Sequence, residues 1–276
     1  MVMRRIFSFL IISLLLALSV IAHDESELIT DAESVASNSI VVVVIASALI
    51  AFLIIIAALK KKESNRLKVF LFVSICVVSI VATFYLAMST ILLNINSESN
   101  GPVHWHTDFE IWKCGENLDL LDPTGLSNRI GTSVFHEHGD QRIHVEGVVT
   151  NMEDVTLSNF IHFVGGELSS ESFTLSTNNG DVSAKNGDRC PSGAGNLQAF
   201  LYRITNPDAS KNTGFFYTQT KLADLSQYVP APYANVPPGD CIILEFDVEK
   251  ERTDKICETY RIAKEKGYIT EVPHGS

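Results

Sequence analysis

Five of the eight histidines in this chain fall within forty-one residues, in groups whose spacing suits β-strands. They are His104 and His106 in HWHTDFE, His136 and His138 in FHEHGD, and His144 in RIHVEG. Neutral imidazole is the commonest protein ligand for zinc and copper. Successive side chains alternate faces along a strand, so residues i and i+2 point the same way. Three short strands can therefore aim five imidazoles at one point. Three or four nitrogen donors suit tetrahedral zinc and tetragonal copper(II) alike, so the metal stays open between copper and zinc.

The segment FHEHGDQRIHVEG reads as a β-hairpin, with Gly139-Asp140-Gln141 as the turn. A three-residue loop sets His136 opposite His144 and His138 opposite Arg142, with Glu146 on the same face. Side chains in such opposed pairs have Cβ atoms about 4.5–5.5 Å apart, close enough to share an ion. An even-length loop would reverse one strand and separate the set. His104 and His106 occupy a strand of their own, with Glu110 on the same face. Asp108, Glu110 and Glu146 are candidate ligands, ring-orienting partners, or a general base beside a metal-bound water. Three histidines around an open position suggest catalysis, whereas a closed set of four suggests structure or carriage. The alternative without metal makes all five ordinary strand residues. His162 reads as a packing or surface residue, and His23 and His274 as terminal ones.

The elements that must position these residues begin with a membrane anchor. Residues 1–22 have two arginines, an apolar middle and small residues before the polar HDESE, the pattern of a signal peptide. An uncleaved anchor is the alternative. An acidic segment (23–38) precedes two apolar runs, 39–59 and 69–93, each long enough to cross a bilayer. Between them the basic loop KKKESNRLK (60–68) is expected on the cytoplasmic side, which sends residues 94–276 outside. Its lysines suit contact with anionic membrane lipid. The chain carries a net charge of −11, and no basic patch lies outside that loop, which argues against nucleic acid as a partner.

Residues 94–276 form one domain of ordinary size. Strands are expected over 104–113, 133–138, 142–149, 172–176, 197–205 and 241–248, where β-branched and aromatic residues are bounded by turn formers. A short helix over 156–164 has a Thr or Ser cap, and a C-terminal helix over 253–266 ends at Gly267. Cys114, Cys190, Cys241 and Cys257 all lie in this part, an even number where disulfides persist. Four cysteines allow three pairings, and spacing does not choose among them. Cys76 falls in the second apolar run. The fold class is α+β: a mainly β extracytoplasmic domain, with a short internal helix and a C-terminal helix, on a two-helix anchor.

Two resemblances bear on this reading. The pattern His104-Trp105-His106, then His136-Glu137-His138-Gly139-Asp140, Ile143-His144-Val145-Glu146 and a short helix before a Gly resembles a set of uncharacterised prokaryotic extracytoplasmic proteins. The strand GDCIILEFD (239–247) is similar to that family's closing strand. The resemblance implies location and architecture more than chemistry, and the four outer cysteines and residues 206–214 depart from it. HWHTDFE also resembles the core of the first cupin motif, which would make His104, His106 and Glu110 metal ligands. The flanking glycines of that motif are misplaced here. The expected function is binding of copper or zinc through His104, His106, His136, His138, His144 and Glu146, for carriage, sensing or storage. A cupin-like or hydrolytic metal-dependent enzyme is the first alternative, and a metal-free interaction module the second.

Overall fold

A computed structural model of the protein describes residues 32–59, 64–121, 134–136, 139–210, 212–230 and 239–272, with residue 136 described by its backbone alone. The chain divides into two compact units, residues 1–101 and 102–276. The expected signal peptide lies outside the described residues.

The first unit holds α1 (Ala32–Leu59) and α2 (Asn65–Asn96), two helices packed on each other. Both begin before their expected spans, because helical hydrogen bonding continues from the apolar run into its polar flank. Ser64 caps α2 by accepting from the Leu67 N–H. Their surface is inverted relative to a water-soluble bundle: Ile40, Phe72 and Phe84 are each at least 65% exposed. Apolar exposure along two helices of 28 and 32 residues suits a lipid environment, and both are long and apolar enough to cross a membrane.

The second unit is α+β with a mixed sheet. Among the described residues its main sheet has eight strands: β1 (Pro102–Lys113), β2 (Glu116–Leu118), β3 (Phe135–His136), β4 (Arg142–Val148), β10 (Asn196–Ile204), β11 (Phe215–Lys221), β12 (Asp240–Asp247) and β13 (Ile269–Glu271). The order is β13-β11-β10-β12-β1-β4-β3, with β2 also paired to β1. Pairing is parallel for β1 with β12 and for β11 with β13, and antiparallel elsewhere. The hairpins β5 (Glu167–Leu168), β6 (Ser172–Thr177) and β7 (Gly180–Lys185) form a small second sheet, and β8 (Arg189–Cys190) pairs with β9 (Gly193–Ala194).

Alternation along the strands divides the main sheet into two faces. One face carries Trp105, Phe109, Ile143, Val145, Ile242 and Leu244 into the larger core. This core is covered by α3 (Leu157–Phe163) and by Phe173 and Leu175 of β6. Phe160 of α3 sets its ring edge-on to Phe109 and Phe135, at 5.5 and 5.7 Å. On the other face Phe200, Tyr202, Tyr217 and Ile243 meet Tyr260 and Ala263 of α4 (Glu258–Glu265). The histidines lie on this second face, on β1 and β4.

Two cysteine pairs form, Cys114–Cys190 and Cys241–Cys257. The C-terminal helix starts at Glu258 rather than at Thr253. The reason is local: the Gln219 side chain bonds both the N–H and the carbonyl of Thr253, and the Tyr202 hydroxyl donates to the Lys255 carbonyl. These side chains occupy backbone groups of residues 253–255 and hold that stretch non-helical beside the sheet. Strands β2, β5, β7, β8, β9, β11 and β13 fall where none was expected.

Candidate metal centre

Strand register builds the site. In the antiparallel β1–β4 ladder His104 lies opposite Glu146, His106 opposite His144, and Asp108 opposite Arg142. On the far side of β4, His136 lies opposite His144. The turn that sets this register uses positive φ at Gly139 (69°) and Gln141 (56°), a conformation glycine adopts without strain. The odd-length loop is what keeps the parity of the two strands matched.

His104, His106 and His144 each offer a ring nitrogen, and the three atoms lie within 4.8 Å of one another. The Nε2 atoms of His104 and His106 are 2.8 Å apart, a hydrogen bond in which one ring donates. Ring centroids are 4.5 Å apart for His104–His106 and 4.6 Å for His106–His144, both near perpendicular. A tetrahedral ion with bonds of about 2.05 Å to nitrogen sets its donors about 3.3 Å apart. The 2.8 Å pair is closer than that and no pair is farther apart than 4.8 Å, so the three rings are near enough to form a tripod around one ion.

Burial is graded across the tripod. The side chain of His144 is 10% exposed and that of His104 59%, so an ion here would be open to solvent on one side. Burial pushes the His106 imidazole below its usual pKa, helped by the neighbouring His144, His104 and Arg142 and opposed by Glu146. A lowered pKa keeps the ring neutral, the form that ligates metal.

Carboxylates hold the outer two rings. Glu146 Oε1 is 2.9 Å from His104 Nε2, and Asp140 Oδ2 is 3.2 Å from His144 Nε2. Glu146 meets the same Nε2 of His104 that faces His106, so it stands where a further donor to an ion would stand, rather than behind the ring on its far nitrogen. Glu146 was among the candidate residues. Asp140 was read only as a turn residue, although a turn acid four positions before a candidate histidine is a signal that strand parity alone overlooks.

The other even-numbered residues of β1 serve the fold. Asp108 accepts from Arg142 Nε at 2.5 Å and from the Thr259 hydroxyl of α4. Glu110 accepts from Trp112 Nε1 at 2.9 Å and lies beside the Glu258 backbone at the start of α4. Burial raises the Glu110 pKa. The carboxyl that a cupin-type centre would use as a ligand is thus engaged at a helix terminus. His138, His23 and His274 lie outside the described residues, as does the side chain of His136. His162 packs against the Phe163 ring at 5.5 Å, away from the three-histidine group. No family model, no curated protein and no solved structure matches the chain.

Proposed function

We propose that this protein holds a copper or zinc ion on an extracytoplasmic domain tethered by two membrane helices, for carriage, sensing or storage of that metal. His104, His106 and His144 are the primary ligands and Glu146 an additional donor, with His136 and His138 completing the candidate set. The carrying observation is the convergence of three imidazole nitrogens from two adjacent strands. The donor set supports the borderline ions: it has imidazole and carboxylate but no thiolate or thioether, the ligands that favour copper(I). The outer cysteines are consumed in disulfides, which also suits an oxidising compartment. Together with the basic loop between the helices, this supports an outward-facing domain.

A second reading, a metal-dependent hydrolase, draws on one feature. The open side of the tripod leaves room for a metal-bound water, and Glu146 stands beside it as a candidate base.

The test is metal content of the full chain in detergent, without a His tag, after copper and zinc loading in turn. About one ion per chain is expected, lost in His104→Ala/His144→Ala and retained in His162→Ala. A folded protein with no stoichiometric ion would sink the proposal. An exchangeable water on the bound metal would favour the hydrolase.

A further inference from the structure

Arg142 is the cation placed beside the histidines, and its surroundings are unlike those of a residue that only balances charge. It sits two residues before His144 on β4 and opposite Asp108 on β1. That puts it diagonal to His106, a spacing long side chains bridge. Its Nε is bonded to Asp108 Oδ1 at 2.5 Å. Among the described residues its two terminal nitrogens have no hydrogen-bond acceptor. The side chain is 30% exposed, and Asp140 is the second carboxylate whose charge acts on it, so among the described residues this is a half-buried cation whose terminal donors are not bonded. Asp108 is itself anchored from behind, since its second oxygen takes the Thr259 hydroxyl. The guanidinium is therefore held in place before any ligand arrives.

The chemistry of the tripod supplies the rest. Three neutral imidazoles contribute no charge and the Glu146 carboxylate only one, so a divalent ion on them keeps net positive charge and attracts an anion to its open side. The two nearby carboxylates, Glu146 and Asp140, are each engaged with a histidine. A planar guanidinium is the protein group best matched to a planar or tetrahedral oxyanion, which it grips with two parallel N–H bonds.

Resting on the metal reading above, we infer that the centre takes a small exogenous oxyanion, a carboxylate or phosphate, shared between the metal and the Arg142 guanidinium. The protein is then a receptor for a metal–anion pair, and Arg142 selects the anion while the histidines select the metal.

The experiment uses the full chain in detergent loaded with cobalt(II), whose visible bands report its coordination, and titrates acetate and inorganic phosphate in turn. The expected result is a saturable spectral change with at least one anion. Its midpoint should rise about tenfold in Arg142→Gln with cobalt stoichiometry unchanged, and Arg142→Lys should fall between the two. A cobalt centre that ignores both anions, or that responds equally in wild type and Arg142→Gln, overturns the inference and leaves the metal reading standing. Where Arg142→Gln fails to fold, Arg142→Lys decides: weaker anion binding supports the inference, and wild-type binding overturns it. A chain that binds no cobalt fails at the metal reading itself.

Discussion

The two disulfides should rank in opposite order for stability and for metal affinity. Cys114–Cys190 closes a sequence separation of 76 residues and Cys241–Cys257 one of 16. On a loop-closure entropy basis the first stabilises by about 4.5 kcal/mol and the second by about 3 kcal/mol. Each Cys-to-Ala double variant deletes two sulfurs, so that part of the cost largely cancels in the comparison. Their positions relative to the site differ. Cys257 directly precedes α4, whose first two residues hold Glu110 and Asp108, and Asp108 fixes Arg142 beside His106. Cys114 and Cys190 tie the far end of β1 to the β8–β9 hairpin. The assay is urea unfolding followed by tryptophan fluorescence. The chain's two tryptophans, Trp105 and Trp112, both lie in β1, so the signal reports the outer domain even in the intact protein. Metal affinity is measured on the same samples under native conditions. Cys114→Ala/Cys190→Ala should be the less stable of the two, with metal affinity within about twofold of wild type. Cys241→Ala/Cys257→Ala should lose about tenfold in affinity, the scale of outer-shell effects on metal sites. Equal affinities in the two variants, or the reverse ranking, would refute the idea that α4 supports the site.

Other perturbations test separate joints. Acid should weaken the metal-free fold through His106. Its folded pKa lies below the unfolded value of about 6.5, so the unfolded chain binds more protons and stability falls as pH drops from about 6.5. Urea midpoints of the metal-free protein at pH 7.5 and 5.5 check this, and replacing His106 with Gln should flatten the slope. Gly239→Ala should destabilise by about 1–3 kcal/mol and weaken metal binding, because a Cβ there would stand 2.4 Å from the His106 carbonyl oxygen. Thermal melting and a metal titration read both effects together. Asp240→Asn should cost about 3 kcal/mol, since this buried carboxylate takes a bidentate grip from Arg203 and the Tyr228 hydroxyl at 2.6 Å. It lies on the face opposite the histidines, so metal affinity at saturation of folding should be unchanged.

What could be read in advance was whatever depends on local period. The paired histidines declared strand parity, the odd turn declared the His136–His144 register, and apolar runs of membrane length stood out against polar flanks. What could not be read depends on neighbours distant in sequence. Nothing within HWHTDFE says that β4 lies on one side of β1 and β12, running parallel, on the other. The cysteine pairing needed that same adjacency, because Cys241 meets Cys257 only when α4 lies across the second face of the sheet. The start of α4 was misplaced because Gln219, from a strand that local pattern did not reveal, occupies the backbone of Thr253.

Glu110 shows why parity alone overstates a site. It shares a face with His104 and His106, as alternation requires, yet its carboxyl is engaged by Trp112 and lies beside the start of α4. A strand face of this length is more than one environment. Its first half, at His104 and His106, is open to solvent and to an ion. Its second half, from Asp108 onward, lies under a helix terminus that has its own demand for acceptors. The boundary between them falls at the Asp108–Arg142 pair, where one carboxylate serves α4 and one guanidinium faces the histidines. Moving that boundary should move the chemistry. Thr259→Val removes the hydroxyl without changing volume much, and it should loosen Arg142 while leaving the three imidazoles in register. The expected signature is weaker anion binding to the cobalt-loaded protein with unchanged metal stoichiometry. Loss of the metal instead would mean that Asp108 and Arg142 hold the histidines themselves.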